Sequence, residues 1–169
     1  MIDIVPLRKA SPEQVESLLD RAFGTDRVTR TAYRVRGAAP AIPELSFAAM
    51  ENGDLVGSVQ CWPVALSTAR GVVPLVMVGP VAVDPQRQRD GLGKRLMHAA
   101  LAAAAAEGRD DAMMLIGDPE YYGRFFGFTA DATHDWVLPG PVERHRLLAC
   151  GARVPAVAGS LGPAVPAVP

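Results

Sequence analysis

The chain has 169 residues, 49% hydrophobic and 21% charged, with a formal net charge of -1. That size and balance suit one globular domain with its own core, and give no field that would draw a nucleic acid. No run reaches the ~20 apolar residues of a membrane span, and "MIDIVPLRKA" lacks the build of a signal peptide, so a cytoplasmic location is expected. In chain order, "IDIVPLR" reads as a first strand. Ser11-Pro12-Glu13-Gln14 then opens a helix with an N-cap, a proline at the first helical position and a capping box. Val15, Leu18, Leu19 and Ala22 give it an apolar stripe, and Gly24 stops it. A short irregular helix is expected around Asp26 to Arg36, carrying Arg27, Arg30, Arg34 and Arg36 on a solvated face or toward an acidic acceptor.

From Leu45 the period changes to two. "LSFAAMENGDLVGSVQCWPVAL" reads as a hairpin turning at Asn52-Gly53. After a turn near Ala69-Arg70-Gly71, "VVPLVMVGPVAV" is a third strand, interrupted by Gly79-Pro80. Proline donates nothing to a ladder, so an edge, a bulge or a splayed pair is expected there. A helix from about Gly91 to Glu107 comes next, with Leu92, Leu96, Ala99, Ala100 and Ala103 as its packing face. "AMMLIGD" is a buried-looking strand, "PEYYGRFFGF" a short helix ended by Gly127, and "DWVLPG" a last strand. The Pro/Gly/Ala/Val-rich end reads as an extended tail, which divides the chain into a domain over 1–140 and an extension over 141–169. Cys61 and Cys150 lie far apart without metal-ligand spacing, so two thiols and no metal are expected.

The chemistry-bearing stretch is "VAVDPQRQRDGLGKRLM". A strand ends at Val83, a charged turn carries Gly91 and Gly93, and a helix begins. The first backbone N–H groups of a helix lack intrahelical partners and sit in the positive end of its dipole. Glycines there let a bulky anion approach, and Arg87, Arg89 and Lys94 add charge at the rim, as in a phosphate cradle. The same glycines would also serve a tight turn needed only for packing. Neither the P-loop order nor G-x-G-x-x-G is present.

This stretch resembles the acetyl-CoA signature of the GNAT superfamily of N-acetyltransferases, [QR]-x-x-G-x-[GA], matched at Gln88, Gly91 and Gly93. The order of elements from Ile2 to Phe128 is similar to that family as well. The resemblance implies an α/β (α+β) GNAT fold: a mixed, mostly antiparallel sheet splayed at a central bulge near Gly79-Pro80, with helices on both faces. It implies acetyl-CoA as acyl donor, with its pantetheine arm along Val81, Ala82 and Val83. Its pyrophosphate would lie on Gln88, Arg89, Asp90, Gly91, Leu92, Gly93 and Lys94. In "GDPEYYGRFFGF", an aromatic cluster by composition, the family's Tyr that protonates the leaving thiolate stands four residues before a Gly-Phe pair. That position is Gly123 here. Tyr122, one residue earlier, takes the role if a looser helix start absorbs the extra residue; otherwise it passes to Tyr121 or to water.

The function so implied is transfer of an acetyl group to a primary amine, small-molecule or peptide, by direct attack. No nucleic acid or membrane takes part, and a homodimer is possible. Alternatives are a non-catalytic acyl-CoA-binding module, a hydroxyl acceptor or a longer acyl chain. Glu44, Glu51 and His134 are the candidate bases. Trp62, Trp136 and Phe47 could line an acceptor pocket or fill the core, and "PVERHRLL" could cover the site or touch a second subunit.

Overall fold

The computed structural model describes residues 1–88 and 91–164. Its elements run β1 (Asp3–Pro6), α1 (Pro12–Phe23), α2 (Thr31–Arg36), β2 (Phe47–Glu51), β3 (Asp54–Thr68), β4 (Gly71–Val83), α3 (Leu92–Ala106), β5 (Met113–Ile116), α4 (Pro119–Phe126), β6 (Trp136–Val137), β7 (Leu147–Cys150) and β8 (Gly159–Pro163). Among the described residues the strands form an eight-stranded mixed sheet. Its order is β1-β2-β3-β4-β5-β7, with β8 added to β3 and β6 to β8. The β4–β5 and β6–β8 ladders are parallel, whereas β1–β2, β2–β3, β3–β8 and β5–β7 are antiparallel. The sheet is therefore mostly antiparallel, as expected.

The chain forms two compact units. The first contains Met1–Val28, Ala41–Cys61 and Val78–Glu107, and so holds β1, α1, β2, the start of β3, the end of β4, and α3. Ser11 caps α1 through both halves of a capping box with Gln14. The apolar stripe of the helix buries Val15, Leu18 and Leu19 in a cluster with Ala10, Ala48, Leu55 and Ala82. Ala48 pairs with Ser58 across the β2–β3 ladder, and Ala49 with Gly57. Side chains alternate between faces along a strand, so Ala48 and Ser58 look toward α1, whereas Ala49 and Gly57 look the other way. There Gly57 receives α3: a Cβ at this position would lie 3.0 Å from Leu96 Cδ1 and 3.3 Å from the Ala82 carbonyl oxygen.

The buried face of α3 is Leu92, Leu96, Met97, Ala100 and Ala104. Met97 and Ala104 replace the expected Ala99 and Ala103, because the stripe drifts along the four-residue ridge of the helix. A bulge between Ala49 and Met50 shifts the β2–β3 register. The carbonyl of Val56, beside it, accepts the Asp84 N–H at 2.9 Å and so ties the end of β4 to β3.

The second unit contains Thr29–Pro40, Trp62–Met77 and the described residues from Gly108. β5 pairs with β4 at Val76↔Met113 and Met77↔Met114, and with β7 along its whole length. Among the described residues the β4–β5 ladder ends there, two residues short of Gly79, where a bulge or splay was expected. Gly79 takes a φ of 123° and precedes a cis bond to Pro80, and β4 runs on through both. β8 pairs with β3 from Val64↔Pro163 to Thr68↔Gly159.

These last strands correct one reading of the sequence: "DWVLPG" does not hold the last strand. Within the expected extension over 141–169, the described residues Leu147–Cys150 and Gly159–Pro163 are strands paired in the sheet. Short runs such as "LLAC" and "GSLGP" have too few residues to show a period, so only the ladder identifies them. The irregular helix expected from Asp26 divides into a 3-10 turn over Thr25–Thr29 and α2. Among the described residues no helix is long and apolar enough to cross a membrane.

The fit of α3 on Gly57 sets a testable sign. Valine is a better strand former than glycine, yet Gly57→Val is expected to destabilise the protein by about 1–3 kcal/mol through overpacking. Circular-dichroism melting should show a Tm fall of roughly 2–4 °C per kcal/mol for a domain of this size.

Candidate active site

In the first unit, β4 delivers the chain to the turn that the sequence singles out. Ala82 is wholly buried, while Val81 and Val83 on either side are half-buried. Asp84 organises the turn after the strand. Its Oδ1 accepts the Gln86 N–H at 3.0 Å, its carbonyl accepts the Arg87 N–H at 2.7 Å, and its carboxylate meets Arg21 at 3.5 Å. A 3-10 turn over Pro85–Arg87 results, and Gln88 ends it. Arg87, expected to add charge at the rim, pairs its guanidinium with the carboxylate of Glu51. That pair also engages Glu51, one of the candidate bases. Arg89 and Asp90, expected to touch the pyrophosphate, lie outside the described residues.

Gly91 is the N-cap of α3 and holds a left-handed conformation, φ 68° and ψ 19°. L-residues pay for this conformation with a clash of Cβ against the following carbonyl, which is why glycine stands here. A Cβ on Gly91 would meet no described protein atom within 4 Å. Among the described residues, then, no side-chain packing requires a glycine here, and the backbone is bare on that side. The 15-residue α3 starts directly behind it, with Leu92 buried and Gly93 and Lys94 half-buried in its first turn. Its first intrahelical bond runs from Arg95 N–H to the Gly91 carbonyl at 3.2 Å. The first N–H groups of any α-helix have no intrahelical acceptor and point out of its start. A bare left-handed glycine on such a start fits a phosphate-sized anion.

The second unit holds the aromatic constellation. Asp118 caps α4 by accepting the Glu120 N–H at 3.0 Å, and Gly127, at φ 76°, closes it. The start is thus a regular capped turn, without the slack expected to absorb an extra residue. At the other end, Gly127 N–H bonds to the Gly123 carbonyl at 3.1 Å and Phe128 N–H to the Tyr122 carbonyl at 3.2 Å. A Cβ on Gly123 would press within 3.2 Å of the Phe128 carbonyl oxygen. The position the family pattern reserves for tyrosine is therefore crowded by backbone, and the neighbouring Tyr122 turns inward.

Its ring lies over Gly117, where a Cβ would come within 2.6 Å of Tyr122 Cε2. Burial, with smaller contributions from Tyr121 and Asp118 that outweigh Arg146, pushes the Tyr122 hydroxyl up to about 12. Tyr121, edge-on to Tyr122 with ring centroids 4.9 Å apart, is raised by burial as well but is the more open of the two. Gly117 is a residue that sequence reasoning passed over. Its only signal was a glycine just before the helix cap.

The remaining candidates resolve differently. Glu44 and His134 are exposed. Arg27 is not on a solvated face: it is buried between Glu16 and Asp20, the latter at 3.1 Å. Arg36 lies between the rings of Tyr33 and Trp62, 3.7 and 3.8 Å from their centroids. Arg34 donates to the Pro139 carbonyl at 3.2 Å. Trp136 is wholly buried, as core packing requires. Both cysteines are free thiols, and burial, then Asp110, pushes the Cys150 thiol up.

With the geometry in hand, the chain can be compared with known proteins. A family model described as acetyltransferase (GNAT) domain matches residues 3–130. An uncharacterized N-acetyltransferase of Streptomyces avermitilis is 33% identical over 143 residues, covering 83% of this chain and 34% of that protein. The chain thus spans about a third of the length of the curated relative it matches. Among solved structures, it is similar to a GNAT family N-acetyltransferase (YhbS) of Escherichia coli in complex with CoA. The TM-score is 0.66 and the identity 24%, over 89% of this chain and 79% of that one. It is also similar to a GNAT family acetyltransferase of Brucella melitensis in complex with acetyl-CoA, with TM-score 0.60 and 24% identity over 90% and 97% of the two chains. At that identity these likenesses speak for the fold. The family match reaches from β1 through α4 and takes in both the bare glycine at the start of α3 and the capped aromatic helix, so this chain belongs to the GNAT acetyltransferase domain family.

Proposed function

We propose that the chain transfers an acetyl group from acetyl-CoA to a primary amine by direct attack. The observation that carries this reading is Gly91, left-handed and bare at the start of α3. Gln88, Gly91, Leu92, Gly93 and Lys94 would hold the pyrophosphate there, together with Arg89 and Asp90. The backbone of Val81, Ala82 and Val83 would run beside the pantetheine arm. The solved CoA and acetyl-CoA complexes of family members support the choice of ligand. Acetyl-CoA supplies the acetyl group as an activated thioester.

An alkyl amine, with a pKa near ~10.4, must lose its proton before its lone pair can attack. The thioester carbonyl then takes up negative charge, which a backbone N–H near the end of β4 would hold. Collapse of the adduct expels the thiolate. Although the regular start of α4 leaves it one residue off the family position, Tyr122 is suited to donate a hydrogen bond to that sulfur, because at about 12 its hydroxyl keeps its proton throughout the working range. Complete proton transfer would run uphill, since a thiol near ~8.5 is a far stronger acid than this phenol. Tyr122 therefore acts by stabilising developing charge, and solvent protonates the departed thiolate. Neither thiol is set up to carry an acetyl group: Cys61 is wholly buried and Cys150 is held in its neutral form.

Three outcomes are expected. Acetyl-CoA at a hundred times its Kd should stabilise the protein by about 2.7 kcal/mol, raising Tm by roughly 5–10 °C in a thermal-shift assay; no shift removes the cofactor assignment. Gly91→Asn keeps a residue that tolerates the left-handed region but adds a side chain to the bare backbone. The KM for acetyl-CoA should rise about tenfold or more while the unliganded Tm stays close to wild type.

Tyr122→Phe should lower kcat by roughly 10- to 150-fold, the worth of a hydrogen bond to a charged group, with little change in the acetyl-CoA KM. Its second signature lies in stability. The folded-state value is raised above the unfolded value of 10.0, so ionisation above pH ~10 favours the unfolded chain and stability falls as pH climbs toward ~12. The Phe variant should lose that part of the alkaline decline in pH-dependent melting.

A further inference from the structure

The strand β3 carries two polar residues in an otherwise apolar run, "LVGSVQCW", Leu55 to Trp62. Ser58 is 0% exposed and Gln60 9%. Neither Ser58 Oγ nor Gln60 Oε1 has a hydrogen-bond partner among the described residues. Leaving a buried oxygen without a donor is costly, and native chains rarely keep two side by side without a use for them.

The two are spaced i and i+2, so they share one face of β3. It is the face that Ser58 shares with Ala48 and α1, opposite the face on which Gly57 receives Leu96 of α3. Along the strand they border the end of β4, within the same compact unit: Val56 accepts the Asp84 N–H, and Gly57 abuts the Ala82 carbonyl. The proposed path of the pantetheine arm, Val81 to Val83, is thus the neighbouring strand of the polar pair.

We infer that Ser58 and Gln60 recognise the acceptor's primary amine in its uncharged form. Each oxygen accepts one N–H, and the nitrogen lone pair is left for the thioester. The inference rests on the reading of the chain as an amine acetyltransferase and deepens it by naming what orients the amine. The chemistry favours this ligand over the alternatives. Two neutral acceptors satisfy the two N–H bonds of an amine, whereas a hydroxyl acceptor has one hydrogen and would leave one oxygen unpaired. A carboxylate at the same place would hold the ammonium form, which cannot attack; amide and hydroxyl oxygens carry no charge with which to do so. Gln60 is the less deeply buried of the two. Both are positioning residues.

The test compares wild type, Ser58→Ala and Gln60→Met, the latter keeping an unbranched side chain of similar length without the amide. Thiol release from acetyl-CoA is followed against a panel of alkyl, arylalkyl, poly- and sugar amines. The acetyl-CoA KM, the slow hydrolysis of acetyl-CoA without amine, and the CoA-induced Tm rise are measured alongside. Each variant is expected to lose roughly 10- to 100-fold in kcat/KM for the amine, with the other three readouts unchanged. A Gln60→Met protein that melts higher than wild type and keeps its kcat/KM for amines overturns the inference, for the two oxygens would then be core atoms alone. If Gln60→Met does not fold, Ser58→Ala decides by the same comparison. Wild-type protein that gains Tm with CoA but releases thiol with no amine overturns the amine reading, and this inference with it.

Discussion

The contact that the donor half depends on is the seating of α3 on Gly57. Helix and sheet approach so closely there that even a Cβ on Gly57 would stand tight against Leu96 and the Ala82 carbonyl. Because α3 is rigid and anchored by Leu92, Leu96 and Met97, this contact fixes where the helix begins relative to the end of β4. The carbonyl of Val56 holds the other side of the same turn through Asp84.

The polar groups of the two units show a common trend toward neutrality. Tyr122 and Cys150 are both shifted so that their protonated, uncharged forms persist. Arg27 and Arg87, which a linear reading would count as free positive charge, are each matched by carboxylates. The oxygens of Ser58 and Gln60 are uncharged as well. Neutral groups are what the proposed aminolysis of a thioester would call for. The nucleophile must be uncharged to attack, and charge appears only transiently on carbonyl oxygen and sulfur, where fixed donors act most strongly away from water.

How the aromatic helix departs from the family pattern is also a matter of packing. The expected tyrosine position is occupied by Gly123, and the Phe128 carbonyl leaves little room for a side chain there. Tyr122 instead sits over Gly117, a glycine outside the motif itself.

Much of the fold was legible from local chemistry. The capping box at Ser11, the Asn52-Gly53 hairpin, the apolar stripe of α1 and the glycine stops at Gly24 and Gly127 are short-range signals, and each governs its own few residues. The donor signature was legible for the same reason, because a strand end, a glycine turn and a helix start are contiguous in the chain. By itself the sequence determined the order of elements through α4 and the stretch that resembles a donor site. Only the tertiary structure decided that Leu147–Cys150 and Gly159–Pro163 are strands, that Arg87 is neutralised by Glu51, and that the Tyr122 hydroxyl is hard to ionise. It alone exposed the unpaired oxygens of Ser58 and Gln60. These properties depend on partners far away in the chain or on the exclusion of water, and neither is written in the spacing of neighbouring residues.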